Sequence, residues 1–211
     1  MAATQPGEPG QTQRAKEQGE RRRQAILDAA TIVIAEKGSH ASSLAEIAQA
    51  AGVTRSGLLH HYSSKERLIE AVFAVHERAV EPFFEQLSEA GGLEGIEGLV
   101  GLAVGQVENP EGVAFWSMVA AENSAPGPSS PLRQRLLDAY ERYWSAVVGL
   151  LEQADQRGEL RAEVDKRAEA IEIVGLIEGL SANWLLDPDS VDLIAATDRY
   201  LKRKVEELRV R

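Results

Sequence analysis

The chain of 211 residues contains no cysteine, which removes a disulfide scaffold, a thiolate zinc site and a cysteine nucleophile together. Histidine is scarce, with four copies. His60 and His61 are adjacent, so on a helix they point about 100° apart and do not chelate as an i, i+4 pair would. His40 and His76 stand alone in the sequence. No GxSxG elbow appears, and no carboxylate pair stands out from the general acidity. A catalytic site, a metal and a cofactor are therefore not expected, and the chain does not read as an enzyme. No apolar run approaches the roughly 18 residues of a membrane span, and the opening residues lack the apolar stretch of a secretory signal. A cytoplasmic protein with no membrane partner is the expectation.

Strict two-residue alternation bounded by hairpin turns is absent as well, and so is any internal repeat. The segment GGLEGIEGLVGLAVG (residues 91–105) resembles a phosphate-cradling loop, but no strand precedes it and no lysine ends it. The Walker and dinucleotide readings fail there. Its glycines fall within an apolar pattern and predict a soft helix whose glycines permit close packing or movement. The fold class is all-α.

What is present divides by charge. Residues 1–67 hold nine Lys/Arg against seven Asp/Glu, a net of +2, inside a chain whose net charge is −10. The remainder is correspondingly acidic, with a net of −12. Phosphate recognition needs a local basic face rather than a basic protein, and only the N-terminal third supplies one.

Residues 1–18 are rich in Gly, Pro, Gln and Glu and are expected to form a disordered arm. Helical periodicity begins near Arg21, with Ile26, Ala30, Val33 and Ile34 on one face and Gly38 as C-terminal cap. Ser43 and Glu46 predict a capping box for a second helix. Thr54 predicts the cap of a short third helix, and Ser63 with Glu66 predicts another capping box before a fourth. In LAEIAQAAGVTRSGLLHHYS, Ala48 allows two backbones to approach, Gly52 supplies a turn residue at ease with positive φ, and Ile47, Val53 and Leu58 act as apolar pins. That joint spacing is a strong signal for a DNA-binding helix–turn–helix. Gly57, inside the third helix, costs about 1 kcal/mol relative to alanine. Close approach to DNA and simple tolerance by a well-packed helix both explain it.

Residues from about Arg21 to Val72 resemble the N-terminal domain of the TetR family of bacterial transcriptional regulators. AILDAATIVIAEKG, SSLAEIAQAAGVTRSGLLHHY and SSKERLIEAV carry the resemblance, and RGELRAEVD resembles a turn of the family's C-terminal domains. The resemblance implies a helix–turn–helix DNA-binding domain over residues 19–66 and a larger helical ligand-binding and dimerisation domain over residues 67–211. It implies that Thr54, Arg55 and Ser56 begin a recognition helix in the major groove, with Arg55 reading guanine. His60, His61 and Tyr62 fall at sugar–phosphate contacts, Lys65 at a phosphate, and Ser43 at the start of the second helix beside the backbone. Leu59 replaces the family's usual tyrosine and offers an apolar contact to a thymine methyl. Ala45 replaces a common arginine.

The partners so implied are a double-stranded, palindromic DNA operator, a second copy of the chain, and a small-molecule effector that is largely apolar. Phe83, Trp116, Met118, Glu122, Asn123, Tyr140, Trp144 and Glu178 are the candidate lining of an effector cavity, an apolar pocket with a few polar anchors. For the dimer, Ala168, Gly175, Gly179 and Ala182 form a narrow small-residue stripe on one predicted helix. Leu193, Tyr200 and Leu201 of the last helix lie beside it. A ligand-responsive homodimeric repressor is the expectation. An architectural DNA-binding protein without an effector, or a helical small-molecule binder with a vestigial helix–turn–helix, are the rivals.

Overall fold

The computed structural model describes residues 9–124 and 130–210. Ten helices follow in order among them: α1 (Pro9–Lys37), α2 (Leu44–Ala50), α3 (Arg55–His61), α4 (Lys65–Ala90), α5 (Gly92–Gly98), α6 (Val100–Glu108), α7 (Pro110–Asn123), α8 (Pro131–Gln156), α9 (Lys166–Leu186) and α10 (Leu193–Leu208). No strand occurs among the described residues; one isolated bridge, Leu160 to Arg209, ties the turn before α9 to the end of α10. None of the helices is long and apolar enough to cross a membrane.

Local chemistry sets the N-terminal boundaries. Helix α1 starts at Pro9, so residues 9–18, expected within a disordered arm, are helical; residues 1–8 of that arm lie outside the described residues. It ends at Gly38, whose φ is +86°. That conformation favours glycine, and a Cβ there would also sit 2.4 Å from Glu122 Oε1 and displace that carboxylate. Ser43 and Glu46 make the capping box of α2: the Glu46 amide donates to Ser43 Oγ at 3.2 Å, and the Ser43 amide donates to Glu46 Oε2 at 2.9 Å. Gly52, at φ +66°, turns the chain, and Thr54 Oγ1 caps α3 by accepting from the Gly57 amide at 3.0 Å. The cap of α4 is Ser64, which accepts from the Arg67 amide at 3.2 Å, and not Ser63. Both serines are followed three residues later by a polar side chain, and the chain adopts the later register.

Two principal clusters of buried side chains result. The first joins Ile26, Ala30 and Ile34 of α1, Ile47, Leu58, and Leu68, Val72 and Phe73 of α4 to Phe115 and Val119 of α7 and Leu136 of α8. Helix α7 is therefore packed on α1, and α8 on α4. The second cluster unites α5, α8, α9 and α10 around Ile96, Leu151, Ile173 and Leu201. The glycine segment is two short helices broken at Leu99. A Cβ at Gly95, Gly98 or Gly101 would lie 2.5–2.6 Å from Leu150, Leu87 or Phe83, so these glycines serve close packing.

Candidate nucleic-acid interface and effector cavity

Helix α3 is held by one face and open on the other. Leu58 is fully buried beneath it, whereas Thr54, Arg55, Ser56, Leu59, His60 and His61 are exposed. Ser43, at the start of α2, is exposed as well. Among the described residues no hydrogen bond or ion pair engages the Arg55 guanidinium. Its five donors are available in the first turn of an exposed helix.

Tyr62 and Lys65 are placed differently. The Tyr62 ring is buried, and its hydroxyl accepts from Arg23 Nε at 3.3 Å. The Lys65 ammonium donates to the carbonyl oxygens of Ser39 at 2.6 Å and Ser42 at 2.9 Å, with His40 O at 3.5 Å. Three donors of one ammonium thus satisfy the loop between α1 and α2. Tyr62 belongs to the core, and the half-exposed Lys65 ties the start of α4 to that loop.

The same loop is gripped from the other side by α7. Glu122 accepts from the Ser39 amide at 2.9 Å, from Ser39 Oγ, and from the His40 amide at 3.4 Å. Glu122 is therefore a clamp on the α1–α2 loop and not the cavity anchor expected from sequence. Met118 lies against Gly38 on the same face of α7. Asn123 closes the end of that helix, donating to Val119 O at 2.8 Å and accepting from Ser130 Oγ at 3.4 Å. The face of α7 that carries Met118 and Glu122 packs on α1 and the α1–α2 loop, away from the chambers described next.

The opposite face of α7 presents Trp116 to a chamber of 420 Å³ between α4, α6, α7 and α8, lined by His76, Phe83, Leu102, Val113 and Tyr143 among others. A smaller chamber of 100 Å³, walled by Phe84, Leu99, Ile173, Ile177 and Glu178, adjoins it through Val80, Leu102 and Tyr143. Ring contacts knit the walls: Trp116 lies 5.9 Å from Tyr140 and 5.8 Å from Tyr143, and Phe84 lies 5.8 Å from Tyr143. Of the candidate lining residues, Phe83, Trp116 and Glu178 meet here. Tyr140 stands one layer behind, its ring 5.9 Å from that of Trp116. Trp144 lies outside, stacked on Tyr140 and covered by the Arg167 guanidinium 4.7 Å from its centroid. Phe84 and Tyr143, two more aromatics of the C-terminal region, line these chambers as well, and His76 lines the larger one. Tyr143 is shared by both chambers, and its position one turn beyond Tyr140 was the signal available.

Burial governs the electrostatics. It raises the Glu178 carboxyl above its usual range, against the hydrogen bonds from Tyr140 and Trp116 that favour the charged form. It also raises Tyr140, where the Glu178 charge adds to the effect, and pushes Tyr143 up to about 12. His76 is lowered by burial.

On α9 the small-residue stripe faces outward. Ala168, Gly175, Gly179 and Ala182 are exposed, and a Cβ added at Gly175 or Gly179 would meet nothing within 4 Å. Ile171, Leu176 and Leu186 are exposed on the same helix, at 43%, 38% and 84%. By contrast Leu193, Tyr200 and Leu201 are only 1%, 9% and 1% exposed. They were expected beside the stripe, but the amphipathic face of α10 turns them into the subunit's own core.

Comparison with known proteins gives this architecture a family. Residues 26–72 match the profile of bacterial regulatory proteins of the TetR family, and residues 106–206 that of the BetI-type transcriptional repressor C-terminal domain. The HTH-type transcriptional regulator TtgR of Pseudomonas putida is 26% identical over 93% of this chain and 96% of its own. The HTH-type transcriptional repressor BepR of Brucella suis is 27% identical over the same shares, 93% and 96%. The structure of the regulator FadR from Bacillus subtilis in complex with stearoyl-CoA superposes with a TM-score of 0.70 at 22% identity, covering 88% of this chain and 99% of that one. With both profiles matched and the helix–turn–helix capped, pinned and exposed on α3, the chain belongs to the TetR family of DNA-binding transcriptional regulators.

Proposed function

We propose that the protein is a homodimeric repressor that binds a palindromic operator through α3 and leaves it when a small molecule enters the cavity between α4 and α7. The observation that carries this reading is the exposed face of α3, where Thr54, Arg55, Ser56 and His60 stand clear of the subunit while Leu58 pins the helix beneath them. Two such helices read two half-sites about one helical turn apart, which calls for a second copy. The exposed stripe of α9 supports that helix as the dimer contact, flanked by Ile171 and Leu176 and not by the buried residues of α10.

Two helices connect the cavity to the DNA face. Helix α4 carries Lys65 at one end and Phe83 and Phe84 in the cavity wall. Helix α7 carries Trp116 in the wall and Glu122 on the α1–α2 loop. A ligand that separates Phe83 from Trp116 shifts both connections, and it releases DNA to the extent that it favours the displaced arrangement. A relative by fold, FadR, holds stearoyl-CoA, which supports a small-molecule effector in a chain of this architecture.

Fluorescence anisotropy of labelled double-stranded DNA, titrated with protein over a range of salt, tests the reading. Affinity should fall steeply with salt for random DNA and hold further for DNA containing the inverted repeat, since phosphate contacts carry the first and base contacts the difference. Absence of DNA binding at low salt contradicts it.

A further inference from the structure

The basic excess of the chain is concentrated in one place. Between residues 14 and 23 stand Arg14, Lys16, Arg21, Arg22 and Arg23 against Glu17 and Glu20, a net of +3, whereas residues 1–67 together carry +2. The N-terminal third therefore owes its positive sign to the first half of α1 and not to the helix–turn–helix. That half projects from the subunit. The core face of α1 begins at Ile26 and Leu27, and the side chains described from Gln13 to Gln24 are exposed, with Gly19 alone half-buried. No hydrogen bond or ion pair among the described residues engages Arg14, Lys16, Arg21 or Arg22. Elsewhere Lys37, Arg142, Arg167 and Lys204 are all paired with carboxylates.

The projecting half is aligned with the recognition helix. Arg23 donates from Nε to the Tyr62 hydroxyl at 3.3 Å, and Tyr62 is the C-terminal cap of α3. Arg23 stands one turn before Leu27 and two before Ala30, on the face of α1 that enters the core, and Lys16 stands two turns before Arg23 on that same face. The core face thus runs on past the end of α3 as a basic face, reaching about 11 Å from Arg23 to Lys16 at a rise of 1.5 Å per residue. Arg14 and Arg21 lie on the opposite side of the helix. From Gln13 to Gln24 no apolar side chain is larger than alanine, and Gly19 costs about 1 kcal/mol of helix stability. Nothing in the subunit rewards this extension, and its unpaired cations repel one another until an anion meets them.

We infer that the projecting half of α1 is a second DNA-binding element, in which Arg23, oriented by Tyr62, and Lys16 bind backbone phosphates beside those met by the end of α3. This rests on the reading of α3 as the recognition helix. With Nε taken by Tyr62, the two terminal nitrogens of Arg23 remain for a phosphate. At 3.4 Å per base pair the reach to Lys16 extends each half-site contact by about three base pairs. Phosphates carry no base information, so the element contributes affinity and not sequence preference.

The test compares two double variants of equal charge change in the full-length protein, by anisotropy of labelled double-stranded DNA of mixed sequence. Lys16→Gln with Arg23→Gln should weaken binding at least about tenfold at about 0.1 M salt, and should shallow the slope of log K against log salt by about 2–4, because a dimer loses four phosphate contacts. Arg14→Gln with Arg21→Gln, on the far side of the helix, should cost less than about threefold. Equal losses from the two pairs would mean general attraction without a contact, and would overturn the inference. So would an unaffected Lys16, Arg23 pair in a chain whose native form binds DNA, a result that leaves the reading of α3 standing. A native chain that binds no DNA removes both. DNA binding that stays native in the Lys16, Arg23 pair while sedimentation shifts towards monomer assigns the face to the acidic body of a second copy, and also overturns it. If loss of the Tyr62 contact prevents folding, Lys16→Gln alone, at an exposed residue, should still shallow the slope by about 1–2 where Arg14→Gln leaves it unchanged; equal slopes in these two single variants contradict the assignment.

Discussion

Glu178 is a half-buried carboxyl in the wall of the smaller chamber. Burial raises its pKa above the value of an unfolded carboxylate. A group shifted upward contributes stability that is full below its unfolded pKa and is lost as pH rises through its folded pKa. Ionising the side chain as pH rises therefore works against the fold. Glu178→Gln should raise the melting temperature relative to the native chain at about pH 7.5, and the gain should shrink towards zero at about pH 4.5. A gain of equal size at both values contradicts the assignment. Arg55 and Lys65 form a second contrast. The Arg55 guanidinium makes no hydrogen bond or ion pair among the described residues, so under the proposed reading Arg55→Ala should cost about 1–3 kcal/mol of specific binding and leave the melting temperature unchanged. Lys65 holds three carbonyls of the α1–α2 loop, so Lys65→Ala should lower stability by about 1–3 kcal/mol in thermal unfolding. If Lys65→Ala melts with the native chain and only DNA affinity falls, the lysine serves phosphate and not the loop. Capping chemistry at Ser43 and Thr54 was legible because the side chain and its amide partner are three residues apart. The partners of Lys65 and Glu122 are 23 to 83 residues distant, and no local pattern encodes them.

Among the elements, α7 is the piece whose two faces do different things. One face clamps Ser39 and His40 through Glu122; the other presents Trp116 to the chamber. Glu122→Ala leaves the Ser39 and His40 amides without their carboxylate, so their hydrogen exchange should accelerate in the native state while the amides of α9 are unaffected. Unchanged exchange at the loop would show that the clamp carries no load. Helical periodicity identified which residues of α7, α9 and α10 are apolar, but an apolar residue is buried against whatever the fold supplies. That is why Leu193, Tyr200 and Leu201 went to the subunit core, whereas Gly175 and Gly179 stayed outside. Helix α9 is apolar on both sides, with Ile173 and Ile177 inward and Ile171 and Leu176 outward. Sequence shows that it has two faces to cover without showing what covers them.

For the whole molecule the charge split and the exposed α9 stripe belong together in the proposed dimer: the basic N-terminal third carries α3, and the acidic remainder carries the stripe. Nothing within the subunit lies within 4 Å of a Cβ at Gly179, so Gly179→Leu should leave the subunit folded while overpacking the contact between copies. It should weaken association by about 1–3 kcal/mol, seen as a shift towards monomer in sedimentation velocity. A folded, fully dimeric Gly179→Leu protein places the interface elsewhere. Selection of bound sequences from random double-stranded DNA by the native, full-length protein then joins dimer and recognition helix in one readout. The enriched sequences should converge on an inverted repeat whose half-site centres lie about one helical turn apart, 10–10.5 base pairs or a multiple. Convergence on a single unrepeated site, or no convergence at all, would contradict a two-fold reader built on α3.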